Sequence, residues 1–255
     1  DIPDERMQRI YDAAVRSLIL MSPDWTYPGP YTYKRFWYRD AALIINGLLA
    51  ANMIETAEQI LDRFPEKQTL TGFYHSQEGE WDSNGEVIWA YHRYSKLTGE
   101  EPKADWLDSI ERGARWIDRK RMSRDSDDLH AGLMPSGFSA EHLGNIDFYY
   151  WDNFWSVAGL DCAAELIEKY GDGDAKRFQE ASDELSQHIV QSLERSESVR
   201  DYNAIPASPH RRMDSGAVGS IVAGYPLKLY SPEHDELKGT LEFLMEESYV
   251  NGAFY

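Results

Sequence analysis

The chain has 255 residues, 42% of them hydrophobic, and a formal net charge of −18. That length suits one large globular domain, and that charge is the wrong sign for nucleic acid or an anionic membrane surface. No run of about twenty apolar residues is present, so no membrane span is expected; one cysteine, Cys162, excludes an internal disulfide framework and fits a cytoplasmic location.

Taken in chain order, the periodic stretches predict helices over residues 4–21, 40–52, 54–64, 84–98, 103–122, 152–170, 173–197, 214–229 and 233–248. Ala, Leu, Glu and Lys dominate them, in line with helix propensity. Strand signals are sparse, and Thr69–Tyr74 reads as a short strand or a turn. The N-terminus shows no charged-then-apolar leader.

The connections alternate. Short ones near Asn52–Glu55, Thr98–Glu101, Tyr170–Asp174 and Tyr230–Glu233 carry turn residues. Long ones run over Ser22–Arg39, Pro65–Ser83, Ser123–Trp151 and Ser198–Met213. Antiparallel helices joined this way are stacked αα-hairpins, with every long loop on one face. Aromatic residues crowd those loops: Trp25, Tyr27, Tyr31, Tyr33, Phe36, Trp37 and Tyr38, then Phe148, Tyr149, Tyr150 and Trp151. Such loops, rich also in carboxylates, suit neutral hydroxylated ligands with flat faces, of which sugars are the main class.

Each long loop closes on a large residue and an aspartate before an apolar helix: Tyr38-Arg39-Asp40, Trp81-Asp82, Trp151-Asp152 and Met213-Asp214. Aspartate is a good helix N-cap, so each of the four is readable as a cap. Four on one face also make a ring of carboxylates, and both readings stand at this point. The helices after them are apolar and carry Gly47, Gly159, Gly216, Gly219 and Gly224, which permit close packing. The helices between are amphipathic. The pattern is an inner ring of buried helices inside an outer ring of half-exposed ones.

Phe36-Trp37-Tyr38-Arg39-Asp40-Ala41-Ala42-Leu43, Glu80-Trp81-Asp82-Ser83-Asn84-Gly85, Gly132-Leu133-Met134-Pro135 and Tyr150-Trp151-Asp152-Asn153-Phe154-Trp155 together resemble sugar-facing segments of the six-hairpin glycosidases, the glucoamylase-like and trehalase-like enzymes. The resemblance covers nearly the whole chain in order. It implies an all-α fold, an (α/α)6 toroid of helical hairpins, with residues 1–255 forming a single catalytic domain. About nine helices are counted against the twelve of a closed ring, so the domain is expected to be C-terminally incomplete, or finished by another chain.

The same resemblance implies inverting hydrolysis that releases the terminal sugar of an oligosaccharide or glycoside, glucosidase-like, with no cofactor. Asp152 would be the general acid. Trp37, Arg39, Asp40, Trp81, Asp82, Glu141 and Trp151 would bind substrate. In the glucoamylases proper the acid is a glutamate, so the aspartate here agrees with the trehalase-like and glucosidase branch.

Inverting hydrolysis needs two carboxyl groups about 6.5–9.5 Å apart, one donating a proton and one activating water. The acid must stay protonated near neutral pH, which apolar surroundings and neighbouring negative charge favour. Trp151, Phe154 and Trp155 flank Asp152, while a cap position would oppose protonation. No convincing general base is found; Glu80, Glu86 and Glu141 are lesser substitutes. The base is expected beyond Tyr255, and this chain alone is expected to be inactive.

His75 and His92 lack metal-ligand spacing, and no metal site is expected. Two other readings compete. One is a sugar phosphorylase on the same barrel, with His210, Arg211 and Arg212 offering a phosphate pocket. The other is a non-catalytic sugar-binding toroid.

Overall fold

A computed structural model describes residues 2–138, 145–196 and 201–254. Helix α1 (Glu5–Met21) opens on Asp4, whose carboxylate accepts the Arg6 and Met7 backbone N–H groups at 2.8 and 3.0 Å. After the first long loop come α2 (Tyr38–Ala50), α3 (Ile54–Leu61) and the single turn α4 (Phe64–Lys67), with Pro65 in its first turn, where a missing N–H costs nothing. Helix α5 (Ser83–Thr98) stops at Gly99, which takes the left-handed conformation (φ 78°) that ends helices. Then follow α6 (Ala104–Lys120), α7 (Tyr150–Tyr170) and α8 (Ala175–Arg195), the last capped by Asp174.

The all-α class expected from the periodicity is what the chain adopts, with only a two-residue-per-strand hairpin as sheet among the described residues. Helix α5 packs between α2 and α7, and α7 continues onto a 3-10 helix, Ser215–Ala223. These four form the inner layer. Helices α1, α3, α6, α8 and the helix Asp235–Phe243 lie outside it. The burial follows the sequence. Helix α6 buries Trp106, Ile110, Ala114 and Ile117, one stripe at helical spacing, whereas α7 is buried nearly all round.

The inner helices approach unusually closely at one point. A Cβ on Gly159 would sit 2.5 Å from the Gly85 Cα, and one on Gly85 would sit 2.0 Å from the Trp155 carbonyl oxygen. Helices α5 and α7 therefore touch backbone to backbone, which sets the spacing of everything at their loop ends. The sequence reading anticipated Gly159 in this role but not Gly85.

One expectation needs correction. The stretch 214–229, read as a helix, is a nine-residue 3-10 helix followed by irregular chain. Gly216, Gly219 and Gly224 alternate there with Val218, Ile221 and Val222, a mixture of poor α-formers. Of the two alternatives for Thr69–Tyr74, the chain takes the turn, closed by a bridge between Gln68 and Tyr74. Asn251-Gly252 makes the turn of a small hairpin, Tyr249–Val250 with Ala253–Phe254, both turn residues at positive φ (52° and 82°); Asn-Gly is the preferred pair for that geometry. No helix among the described residues is long and apolar enough to cross a membrane.

Candidate active site

The repeated aspartates separate the two readings left open above. Only Asp214 caps a helix, accepting the Gly216 N–H at 2.8 Å. Asp82 precedes α5 in a helical conformation and makes no cap bond. Asp40 and Asp152 are the third residues of α2 and α7, and the residues before those two helices make no side-chain cap bond either. Three of the four carboxylates are thus placed at the loop ends of the inner layer without being used to start a helix.

They converge around Arg39. Its Nε donates to Asp82 Oδ2 at 2.6 Å, and the Trp151 indole N–H donates to the same oxygen at 2.6 Å. The guanidinium lies over the Trp151 ring, 5.7 Å from its centroid. Arg39 comes from α2, Asp82 from the start of α5 and Trp151 from α7, so one buried carboxylate ties three inner helices together. A charged hydrogen bond of this kind is strong where water is excluded, and Asp82 is fully buried.

One further carboxyl group, Glu86 on α5, joins Asp152 of α7 beside this cluster, the two being 0% and 1% exposed. None of their oxygens accepts a hydrogen bond among the described residues. Burial pushes the Glu86 carboxyl well above the usual carboxylate range; Asp82, Asp40 and Glu80 push the same way, and Arg39 opposes. Burial likewise raises Asp152, followed by the charge of Asp82 and then Glu80, with Arg39 pulling down. The Asp82 backbone N–H lies near Asp152 and lowers its pKa slightly, without reaching hydrogen-bond geometry. Both groups are biased toward their protonated forms.

Above this layer opens a cleft of about 390 Å³ lined by Pro28, Tyr33, Trp37, Arg39, Asp40, Gln77, Glu80 and Phe138. Its size and its mix of aromatic walls with a few charged groups suit a small organic ligand. Among the expected binding residues, Trp37, Arg39 and Asp40 line it. Asp82 and Trp151 lie behind Arg39, as its support. Asp152, 1% exposed, does not line the cleft. Trp81 belongs to the packing: it is 5% exposed, its ring 5.7 Å from Phe73 and 6.0 Å from Trp116, with the Lys120 amine 4.0 Å above it. Its neighbours Phe73 and Trp116 stack on one another, so the ring closes an aromatic cluster and presents no open face. Glu141 lies outside the described residues.

The aromatic crowding of the loops also divides. Tyr38, Tyr149 and Tyr150 are fully buried and serve the core, while Tyr31 and Tyr33 face solvent. Gln77 and Phe138 are cleft residues that the sequence reading missed; nothing local distinguishes them from other loop residues. Arg211, considered for phosphate, is ion-paired with Asp214. His210 meets His130 at 3.2 Å, and Phe148 stacks on His130.

No protein-family model matches the chain, and no curated protein matches it in sequence. Solved structures do match. Variants of a glycosidase superpose on 100% of this chain and 74% of their own, with TM-scores of 0.65 and 0.67 at 12% identity. Another, with a TM-score of 0.65 over the same shares, is a glycosidase variant in complex with glucose. At that identity the likeness is one of fold: this all-α chain shares its architecture with glycosidases.

Proposed function

We propose that this chain belongs to an exo-acting, inverting glycoside hydrolase, that residues 1–255 form a single domain of the six-hairpin (α/α)6 type, and that Asp152 is its general acid. The observation that carries the reading is the carboxyl of Asp152, buried without a hydrogen-bond partner among the described residues and placed against Asp82. A general acid has to hold its proton near neutral pH, and burial next to a second carboxylate achieves this. Arg39, Asp40 and Glu80, on the cleft wall, are suited to gripping the hydroxyls of a terminal sugar, with Trp37 beside them. Asp82 and Trp151 fix the guanidinium in place.

Asp152 is 1% exposed, so donation to a leaving oxygen requires the Arg39–Trp151 layer to shift when substrate binds, as catalytic contacts often tighten only in the complex. The general base is assigned to none of the described residues. The ion pair of Arg211 with Asp214 favours hydrolysis over the phosphorylase alternative, because it ties up a cation that phosphate would need.

The test is hydrolysis of α-linked disaccharides and aryl glycosides by the full-length protein, with Asp152→Asn in parallel. Loss of a proton donor lowers kcat by about 10²–10⁴-fold. A folded Asp152→Asn protein that keeps wild-type turnover removes Asp152 from the role. Sugar binding by the wild type without turnover on any substrate favours the non-catalytic toroid.

A further inference from the structure

The two ends of the cleft differ in chemistry. Its floor is charged and closed, with Arg39 and Glu80 each 8% exposed. Its rim is aromatic and open, with Tyr33 61% and Phe138 39% exposed. Tyr33 leans toward Trp37, ring centroids 6.4 Å apart.

Phe138 is exposed but held. Its backbone N–H donates to the Gly79 carbonyl at 3.0 Å, and the preceding Gly137 exchanges two backbone hydrogen bonds with Asp147, at 2.8 and 3.1 Å. The loops carrying Gly79 and Gly137 touch backbone to backbone. A Cβ on Gly137 would lie 2.2 Å from the Gly79 carbonyl oxygen and 2.9 Å from the Trp81 ring; Gly79 itself sits at φ +94°, where side chains are disfavoured. Neither glycine leaves room for a side chain, and the result is a large ring fixed at the rim with much of its surface in water.

We infer that Tyr33 and Phe138 form the leaving-group half of the cleft, and that the leaving group carries a flat apolar face, a second sugar ring or an aryl group. This rests on the glycosidase reading. An enzyme that takes a chain end must seat the terminal sugar at the closed floor, where charged groups satisfy its hydroxyls. The rest of the substrate then leaves through the open rim. The carbon-bound hydrogens on one face of a pyranose, or an aryl ring, cover an aromatic side chain without stranding polar groups.

The experiment uses the full-length protein and two substrates sharing one sugar, an aryl glycoside and a methyl glycoside. The readout is the ratio of their kcat/KM values, for wild type, Phe138→Ala and Phe138→Trp. Phe138→Ala is expected to lower that ratio about fivefold to tenfold, mainly through KM for the aryl substrate, and Phe138→Trp to restore it. An unchanged ratio in Phe138→Ala overturns the inference. Should that variant fail to fold, Tyr33→Ala on the same rim reads the same ratio. Should the wild type turn over neither substrate, the hydrolase reading fails separately. The ratio of binding constants for the two glycosides, by calorimetry on the same variants, then tests the rim alone.

Discussion

Glu86 offers a test of the site that needs no substrate. It lies one turn beyond Asp82 on α5, fully buried, with neither oxygen hydrogen-bonded among the described residues. Burial, then Asp82, Asp40 and Glu80, favour its neutral form; Arg39 opposes them and is already paired with Asp82. In the unfolded chain the same group gives up its proton near its ordinary pKa. An acid whose folded pKa is raised lends stability that is fully present below the unfolded pKa and is lost as pH climbs toward the folded one. The loss is about 1.4 kcal/mol per pH unit for one proton. Glu86→Gln keeps the shape and removes the titration. The variant is therefore expected to gain on the wild type as pH rises above the ordinary carboxyl range, by at most about 1.4 kcal/mol per unit for the one proton. Urea unfolding at pH 5, 6 and 7 and constant ionic strength measures the difference. A stability difference that does not move with pH, or that moves the other way, refutes the reasoning, because it means that Glu86 is ionised in the fold.

Two stability predictions follow from the same region. Gly159→Ala places a methyl 2.5 Å from the Gly85 Cα and is expected to cost about 1–3 kcal/mol, seen as a lower thermal midpoint; an unchanged midpoint means that the inner helices are not in rigid contact there. Arg39→Met leaves Asp82, which is 0% exposed, without its cation and is expected to cost about 3–5 kcal/mol in denaturant unfolding; a loss under about 1 kcal/mol would place the pair in an environment closer to water.

Much of this molecule is written in local sequence. The 3.6-residue period in α6 and α8 sets which face each buries, and the continuous apolar character of α7 puts it in the inner layer. Alternating turn lengths give the hairpins. Trp37, Arg39 and Asp40, adjacent in the chain, do line the cleft. Asn251-Gly252 carried a hairpin signal that was there to be read. The tertiary structure decided what the repeated aspartates do. A carboxylate before a helix caps it or turns elsewhere, according to which partners the rest of the chain brings near. For Asp82 those partners are Arg39 and Trp151, 43 and 69 residues away. The fate of Trp81, closed off by Phe73 and Trp116, and the need for Gly85 opposite Gly159, are settled by contacts between elements in the same way. Propensity and period act within a few residues, so they determine which helices form. The charge state and exposure of a side chain depend on groups far off in sequence, and only the packed fold brings those together.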